Sequence, residues 1–304
     1  MRIVFLGTAG SLPTPKRNVC AVAVQVGSEI ILFDCGEGTQ RQFMRSTASY
    51  MKVHAVFVTH LHGDHFLGIP ALIQSMSFSG REKDLFIYGP EGTIETVRSM
   101  LGLGYFAPGF GIAAADMQDG SEVCFRGFKV RAVRSEHTVP SLAYVLEEDV
   151  RPGRFDVQKA RALGVRPGPA YSRLQEGHAV EVGGKTITPE MVLGPNRRGR
   201  KVVVTGDTRP AASVAEAARG ADVLVHEATV TSDLIQDANE YGHSTAAGAA
   251  QIALQAGVKK LYMYHFSSRY DDPGPLVAEA RAIFAESYAA DDFMVVQVNA
   301  PDSL

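Results

Sequence analysis

One short stretch concentrates ligand chemistry: His60-Leu61-His62-Gly63-Asp64-His65, four donor-type side chains in six residues. Imidazole and carboxylate are the donors that zinc takes, with manganese or iron as lesser choices. In an extended turn His60 and His62 alternate and so point the same way, while the adjacent Asp64 and His65 face a second point nearby. That pattern reads as two metal ions rather than one. The β-branched run Val53-His54-Ala55-Val56-Phe57-Val58 before it reads as a buried strand, and Phe66 to Ile73 begins a helix behind it. The cluster therefore belongs on a strand-to-helix loop at the mouth of a sheet, where a rigid scaffold presents loop residues for chemistry.

The same logic recurs along the chain. Strands over Glu122–Phe125 and Lys129–Val133 run into His137. Lys201–Thr205 runs into Asp207, Asp222–Val225 into His226-Glu227, and Leu261–Tyr264 into His265. In an α/β fold with a covered sheet, ligands collect outside the strand ends. On this reading His60, His62 and His137 hold one ion, Asp64, His65 and His265 the other, and Asp207 bridges both. Two ions ~3.5–4 Å apart can lower the pKa of a shared water and stabilise the attacking and leaving oxygens of an in-line displacement at phosphorus.

A hydrolytic site must also protonate its leaving group. Glu227 orienting His243 would supply that proton; in the alternative reading Glu227 caps its neighbouring loop and His243 caps the helix that opens at Ser244. Asp34, in Asp34-Cys35-Gly36-Glu37-Gly38-Thr39-Gln40, has two readings as well: support for a metal-bound histidine, or N-cap of a helix over Thr39–Arg45. His226 stays open, a buried structural partner being one reading. His54, inside a strand, reads as structural.

The elements that must position these residues alternate. Met1–Gly7 reads as a first strand and is too short in apolar length for a signal peptide. Cys20–Val26 and Glu29–Phe33 form a hairpin about Gly27-Ser28. Asp84–Gly89 and Ser141–Glu147 are further strands, and Phe293–Val298 a closing one. Helices are expected over Glu91–Leu101, Ala211–Arg219, Ala246–Ala256 and Pro275–Ser287. With 304 residues, 45% of them hydrophobic, the chain can bury a core of one large α/β domain or two small ones. No apolar run approaches the ~20 residues of a membrane helix. Three scattered cysteines (Cys20, Cys35, Cys124) form no CxxC pair, which argues against a disulfide framework or a thiolate site and fits a reducing cytoplasm.

A net charge of −3 does not mark the whole chain as a nucleic-acid binder, but Arg151 to Gln175 departs from it, with six cations against one acid. A short helix over Val157–Leu163 lies there between Pro-Gly punctuation, and Phe155 and Tyr171 interleave with Arg154, Lys159, Arg161 and Arg173. The segment reads as an arm inserted at 151–175 in a core domain spanning 1–304. It is either a solvated mobile loop or a surface for a phosphate backbone. A second basic cluster, Arg197-Arg198-Gly199-Arg200-Lys201, precedes a strand.

The motif His60-Leu61-His62-Gly63-Asp64-His65 resembles the HxHxDH signature of the metallo-β-lactamase superfamily, a four-layer αββα sandwich. Within it the chain resembles the ribonuclease Z family in its short form, from end to end. The likeness takes in Gly7-Thr8 with Pro13-Thr14 and Arg17-Asn18, Phe33 to Gln40, Gly206-Asp207-Thr208, His226-Glu227-Ala228-Thr229, His243-Ser244-Thr245 and His265 to Tyr270. The resemblance implies an endoribonuclease that removes the 3′ trailer from precursor tRNA, leaving a tRNA 3′-hydroxyl and a 5′-phosphorylated trailer. It implies two zinc ions per subunit, with manganese as an alternative, on the seven ligands above. It makes Asp64 also the proton acceptor for the water, and Glu227 with His243 the leaving-group pair. It implies that the 151–175 segment, with Gly168-Pro169, clamps the tRNA elbow across a homodimer, and that Arg17 and Arg269 lie where the acceptor end is held. A phosphodiesterase for small phosphates would share the metals but has no use for a cationic arm. A di-iron oxidoreductase would carry a flavin domain, and nothing in the chain reads as one. A non-catalytic RNA binder would have no need of the full ligand set.

Overall fold

The computed structural model describes residues 1–300, so the last four of the 304-residue span lie outside the described residues. The chain divides into two compact units, Met1–Leu146 with Lys201–Val298, and one built on Glu147–Arg200.

In the first unit the chain runs β1 (Arg2–Gly7), β2 (Ala21–Val26), β3 (Glu29–Phe33), α1 (Thr39–Arg45), β4 (Val53–Phe57), α2 (Gly63–Phe66), α3 (Ile69–Phe78), β5 (Leu85–Gly89), α4 (Thr93–Leu101), β6 (Ile112–Asp116), β7 (Glu122–Phe125), β8 (Phe128–Arg134) and β9 (Leu142–Glu148). The second unit carries α5 (Val157–Ala162), α6 (Pro169–Gln175), β10 (Val180–Val182) and β11 (Lys185–Ile187). The chain then returns through β12 (Lys201–Val204), α7 (Ala212–Ala218), β13 (Val223–Glu227), α8 (Ile235–Tyr241), α9 (Ala246–Ala256), β14 (Leu261–Tyr264), α10 (Gly274–Arg281), β15 (Ser287–Ala289) and β16 (Val295–Gln297).

Two seven-stranded sheets result, in the orders β16-β1-β2-β3-β4-β5-β6 and β15-β14-β13-β12-β9-β8-β7. Strands β3 to β6 run parallel, as do β12 to β15. The strands supply both faces of the sheets by alternation. Val202, Val204, Val223 and Val225 join Ile3, Phe5, Val22 and Val24 in the core between the sheets. Val203 and Leu224 turn to the other side and pack under α7 and α9, whose inward faces are almost all alanine. Val4, Leu32 and Val56 likewise pack under α1 and α3. Helices therefore cover both outer faces, giving the αββα sandwich. Small alanine faces let α7 and α9 sit close to the sheet, and parallel strands with both faces covered are apolar throughout.

Several sequence expectations need correction. The helix expected over Pro275–Ser287 stops at Arg281, and Ser287–Ala289 is instead an edge strand parallel to β14. Strand β6 and helix α8 were not foreseen: Ile112–Asp116 follows a glycine-rich segment, and Ile235–Tyr241 is too polar for a clear apolar period. The unforeseen hairpin β10–β11 turns at Gly183-Gly184, both at positive φ.

The second unit has its own small core of Ala160, Val165, Leu174, Ile187 and Val192. Asp156 caps α5 by accepting from the backbone N–H groups of Gln158 and Lys159. Gly168 has φ 136° and ψ −149°, a region open only to glycine, and Pro169 starts α6 at its first turn. The buried Glu148 carboxylate closes the unit at its base by accepting from the guanidinium groups of Arg151 and Arg200.

Candidate metal centre

Each ligand-type residue sits where a strand of the first unit ends. His60 follows β4, His137 follows β8, Asp207 follows β12 and His265 follows β14. His62, Asp64 and His65 enter the short helix α2, which His62 precedes at its N-cap. The local backbone is strained to bring them in: His265 and Asp34 both adopt positive φ, 59° and 57°. Non-glycine residues hold that conformation only where the surroundings over-determine it.

Asp207 lies at the middle. One of its oxygens, Oδ2, is 3.6 Å from His60 Nε2, whose neighbour His62 Nδ1 is at 3.0 Å and in turn 3.3 Å from His137 Nε2. The other, Oδ1, is 3.4 Å from His65 Nε2 and 3.2 Å from His265 Nε2, and Asp64 Oδ2 stands 3.4 and 3.5 Å from those same nitrogens. The seven residues thus converge as two sets that share one carboxylate.

His65 Nε2, His265 Nε2 and Asp207 Oδ1 are fully buried and have no hydrogen-bond partner among the described residues. Leaving one such atom unpaired costs about 1–3 kcal/mol. Three aimed at one point fit a bound cation, and the nitrogen-and-oxygen donor set fits zinc or manganese. The opposite edges of the rings are tied. His65 Nδ1 meets Asp34 Oδ2 at 2.8 Å, His60 Nδ1 meets Thr59 Oγ1 at 3.0 Å, and His265 Nδ1 meets Thr229 Oγ1 at 2.9 Å. His137 Nδ1 lies 2.8 Å from the Gly242 carbonyl. Such partners fix ring orientation and tautomer so that the inner nitrogen offers its lone pair.

This settles Asp34. It supports His65 and accepts from Thr59 N and Oγ1, while the N-cap position of α1 is Gly38. The supporting hydroxyls of Thr59 and Thr229 were missed in the sequence, although each adjoins or follows a strand end. The Gly242 carbonyl carried no signal at all.

The electrostatics follow from the crowding. Burial pushes the His60 and His137 imidazoles below the ordinary range and so favours their neutral form. At His65 burial acts downward too, but Asp207 and Asp34 outweigh it and hold the group well above. Burial would raise the Asp207 and Asp64 carboxyls, yet the surrounding imidazoles keep both well below the usual carboxylate range.

Beside the cluster, Glu227 Oε1 is 3.0 Å from His243 Nδ1 and accepts from Thr208 N, while Oε2 accepts from Thr229 N and Oγ1. Both readings of Glu227 therefore hold together: it pins the loop and it orients His243. His243 does not cap α9; Thr245 does, accepting from Gly248 N. Burial acts to lower His243, but the Glu227 carboxylate overrides it and pushes the imidazole up to about 9. His226 is buried and donates from Nδ1 to the Glu227 carbonyl at 2.7 Å.

The cluster opens into a cleft of about 450 Å³ that also takes in Ser11, Thr138, Tyr241 and Arg269. Arg269 is exposed there. Arg17 is a correction. Its guanidinium is buried, donates to Thr8 Oγ1, the Ala290 carbonyl and Asp291 Oδ1, and lies 5.1 Å from the Phe266 ring centroid. It braces the Pro13–Asn18 loop from inside and presents no free cation. Arg154, Lys159, Arg161, Gly168, Pro169 and Arg173 all belong to the second unit, and all six are exposed.

The profile of the beta-lactamase superfamily domain matches residues 29–266. Over 299 residues the chain is 48% identical to ribonuclease Z of Methanosarcina acetivorans, with 98% of each chain covered. Over 305 residues it is 45% identical to ribonuclease Z of Archaeoglobus fulgidus, with 99% of each covered. The chain belongs to the ribonuclease Z family. Among solved structures, the short form of human tRNase Z aligns with a TM-score of 0.71 at 26% identity, covering 98% of this chain and all (100%) of that one. Membership of the ribonuclease Z family agrees with the end-to-end resemblance carried by the sequence motifs.

Backbone clearance at the cluster gives a test. A Cβ on Gly10 would come within 2.6 Å of the His265 ring. Gly10→Ala is expected to displace His265 and lower the metal bound per chain at equilibrium, with the far-ultraviolet circular dichroism unchanged. Metal content equal to that of the unaltered protein would show that His265 is not held at a metal point.

Proposed function

We propose that the chain is a zinc-dependent endoribonuclease that removes the 3′ trailer from precursor tRNA, with manganese as the alternative metal. The observation that carries this is the shared carboxylate of Asp207 between two donor sets, with the Glu227–His243 pair at its side, in a chain of ribonuclease Z family sequence throughout. His60, His62, His137 and Asp207 would hold one ion, and Asp64, His65, His265 and Asp207 the other. Ions held there would supply an activated water and neutralise charge building on a phosphodiester.

The chain's own residues do the rest. Asp64 takes the proton of the attacking water on its carboxylate, which Ser11 N holds at 2.8 Å. Glu227 holds His243 through Nδ1, and His243 delivers a proton to the departing 3′ oxygen. The products are a tRNA ending in a 3′-hydroxyl and a trailer beginning with a 5′-phosphate. In this reading the 151–175 segment is the tRNA-binding arm, with Arg154, Lys159, Arg161, Gly168, Pro169 and Arg173 at the tRNA backbone and Arg269 at the acceptor end. The enzyme works in the cytoplasm as a homodimer. The exposed aromatic residues Phe78 and Tyr105 offer apolar surface to a partner subunit.

Incubation with a trailer-bearing precursor tRNA and mapping of both new ends tests the function directly. The expected products carry a 3′-hydroxyl and a 5′-phosphate, and Asp64→Ala yields neither. Intact precursor after exposure to the zinc-loaded protein would refute the proposal.

His243→Ala should slow precursor cleavage by about 10²–10⁴-fold, the usual range for a lost general acid. Bis(p-nitrophenyl) phosphate should suffer far less, because nitrophenolate leaves without a proton. Equal slowing on both substrates would remove the proton-donor role.

For the arm, excision would cut through its small core, so replacing exposed cations is the cleaner test. Alanine at Lys159, Arg161, Arg166 and Arg173 together should raise KM for precursor tRNA and flatten its dependence on salt, since fewer phosphate contacts release fewer counterions. The loss should be much larger on precursor tRNA than on bis(p-nitrophenyl) phosphate. An unchanged salt dependence would show that these cations do not touch the substrate backbone.

A further inference from the structure

Tyr241 ends α8 on the wall of the cleft beside the cluster, and its side chain is 62% exposed. An aromatic ring left to water at a hydrolytic site calls for a partner. The platform beneath it is firm. The Gly242 carbonyl accepts from His137 Nδ1 at 2.8 Å. Arg209 donates to the Asn239 carbonyl through Nε at 2.9 Å and a terminal nitrogen at 2.6 Å. The Ala238 carbonyl accepts from the His243 N–H at 2.7 Å. Gly242 stands at φ 77°, and a Cβ there would meet His137 Nδ1 at 2.8 Å, so the turn after Tyr241 packs directly on the cluster.

We infer that Tyr241 is a stacking platform for the nucleobase of the last nucleotide retained in the product, the one whose 3′ oxygen is released. The inference rests on the proposed reaction and extends it. His243 protonates the departing 3′ oxygen, so the ribose bearing that oxygen lies on the His243 side of the cluster. Tyr241 is two residues before His243 in the chain and lines the same cleft. The cleft, about 450 Å³, falls among pockets that take a ligand of nucleotide size, about 300–1,000 Å³. Asp237, one turn earlier on α8, adds a carboxylate to the wall, which disfavours phosphate there and leaves the backbone to Arg269. Stacking accepts any base, because every base has a π-face.

The test is a double comparison. Precursor tRNAs with a normal or an abasic last retained nucleotide are cleaved by the unaltered enzyme, by Tyr241→Phe and by Tyr241→Ala. The abasic site should raise KM about tenfold or more for the unaltered enzyme and for Tyr241→Phe. Tyr241→Ala should show a similar rise on the normal substrate and no further rise on the abasic one. Melting temperatures are compared to establish that all three are folded. Losses that simply add, or a Tyr241→Ala enzyme indistinguishable from the unaltered one on the normal substrate, would overturn the inference while leaving the proposed function standing. No cleavage by the unaltered enzyme would overturn both.

Discussion

The structure depends on the buried Asp207 carboxylate being shared between two clusters of imidazoles. Its two oxygens face different histidine sets at 3.2–3.6 Å, and one of them has no hydrogen-bond partner among the described residues. A buried carboxylate left this way is costly unless cations stand at both faces. The fold places Asp207 just past β12, beside β13, which ends in Glu227, so the shared carboxylate and the carboxylate that holds His243 come from neighbouring strands of one sheet.

From that constraint the surrounding devices follow. Four of the five cluster histidines, His60, His65, His137 and His265, have the outer nitrogen tied to a carboxylate, a threonine hydroxyl or a carbonyl, which leaves the inner nitrogen directed into the cluster. Glycines stand where backbone must come close: Gly10 against His265, Gly36 against the Asp64 carbonyl, Gly206 against Thr59. Arg17 serves the same end at a distance by bracing the loop that carries Ser11, whose N–H holds Asp64. The cluster is thus preorganised by its neighbours.

Much of this was legible in the sequence, for a physical reason. Buried parallel strands read as short β-branched runs, and a ligand just past each run needs no long-range information to be noticed. His60, His137, Asp207 and His265 stand out in this way. Roles that depend on contact between distant segments were less accessible. Asp34 could have capped α1 and instead holds His65; Arg17 promised a surface cation and is buried; Glu227 had two readings and fills both. Helix α8 is hidden in the sequence because its residues are polar and its one buried residue is Ala238, although the Gly242 carbonyl that orients His137 caps its end.

The two-sided cluster is most directly tested by anomalous diffraction at the zinc edge from crystals of the zinc-loaded protein. Two peaks are expected, one among His60, His62 and His137 and one among Asp64, His65 and His265, with an Asp207 oxygen against each. A single peak, or peaks that Asp207 does not join, would contradict the account.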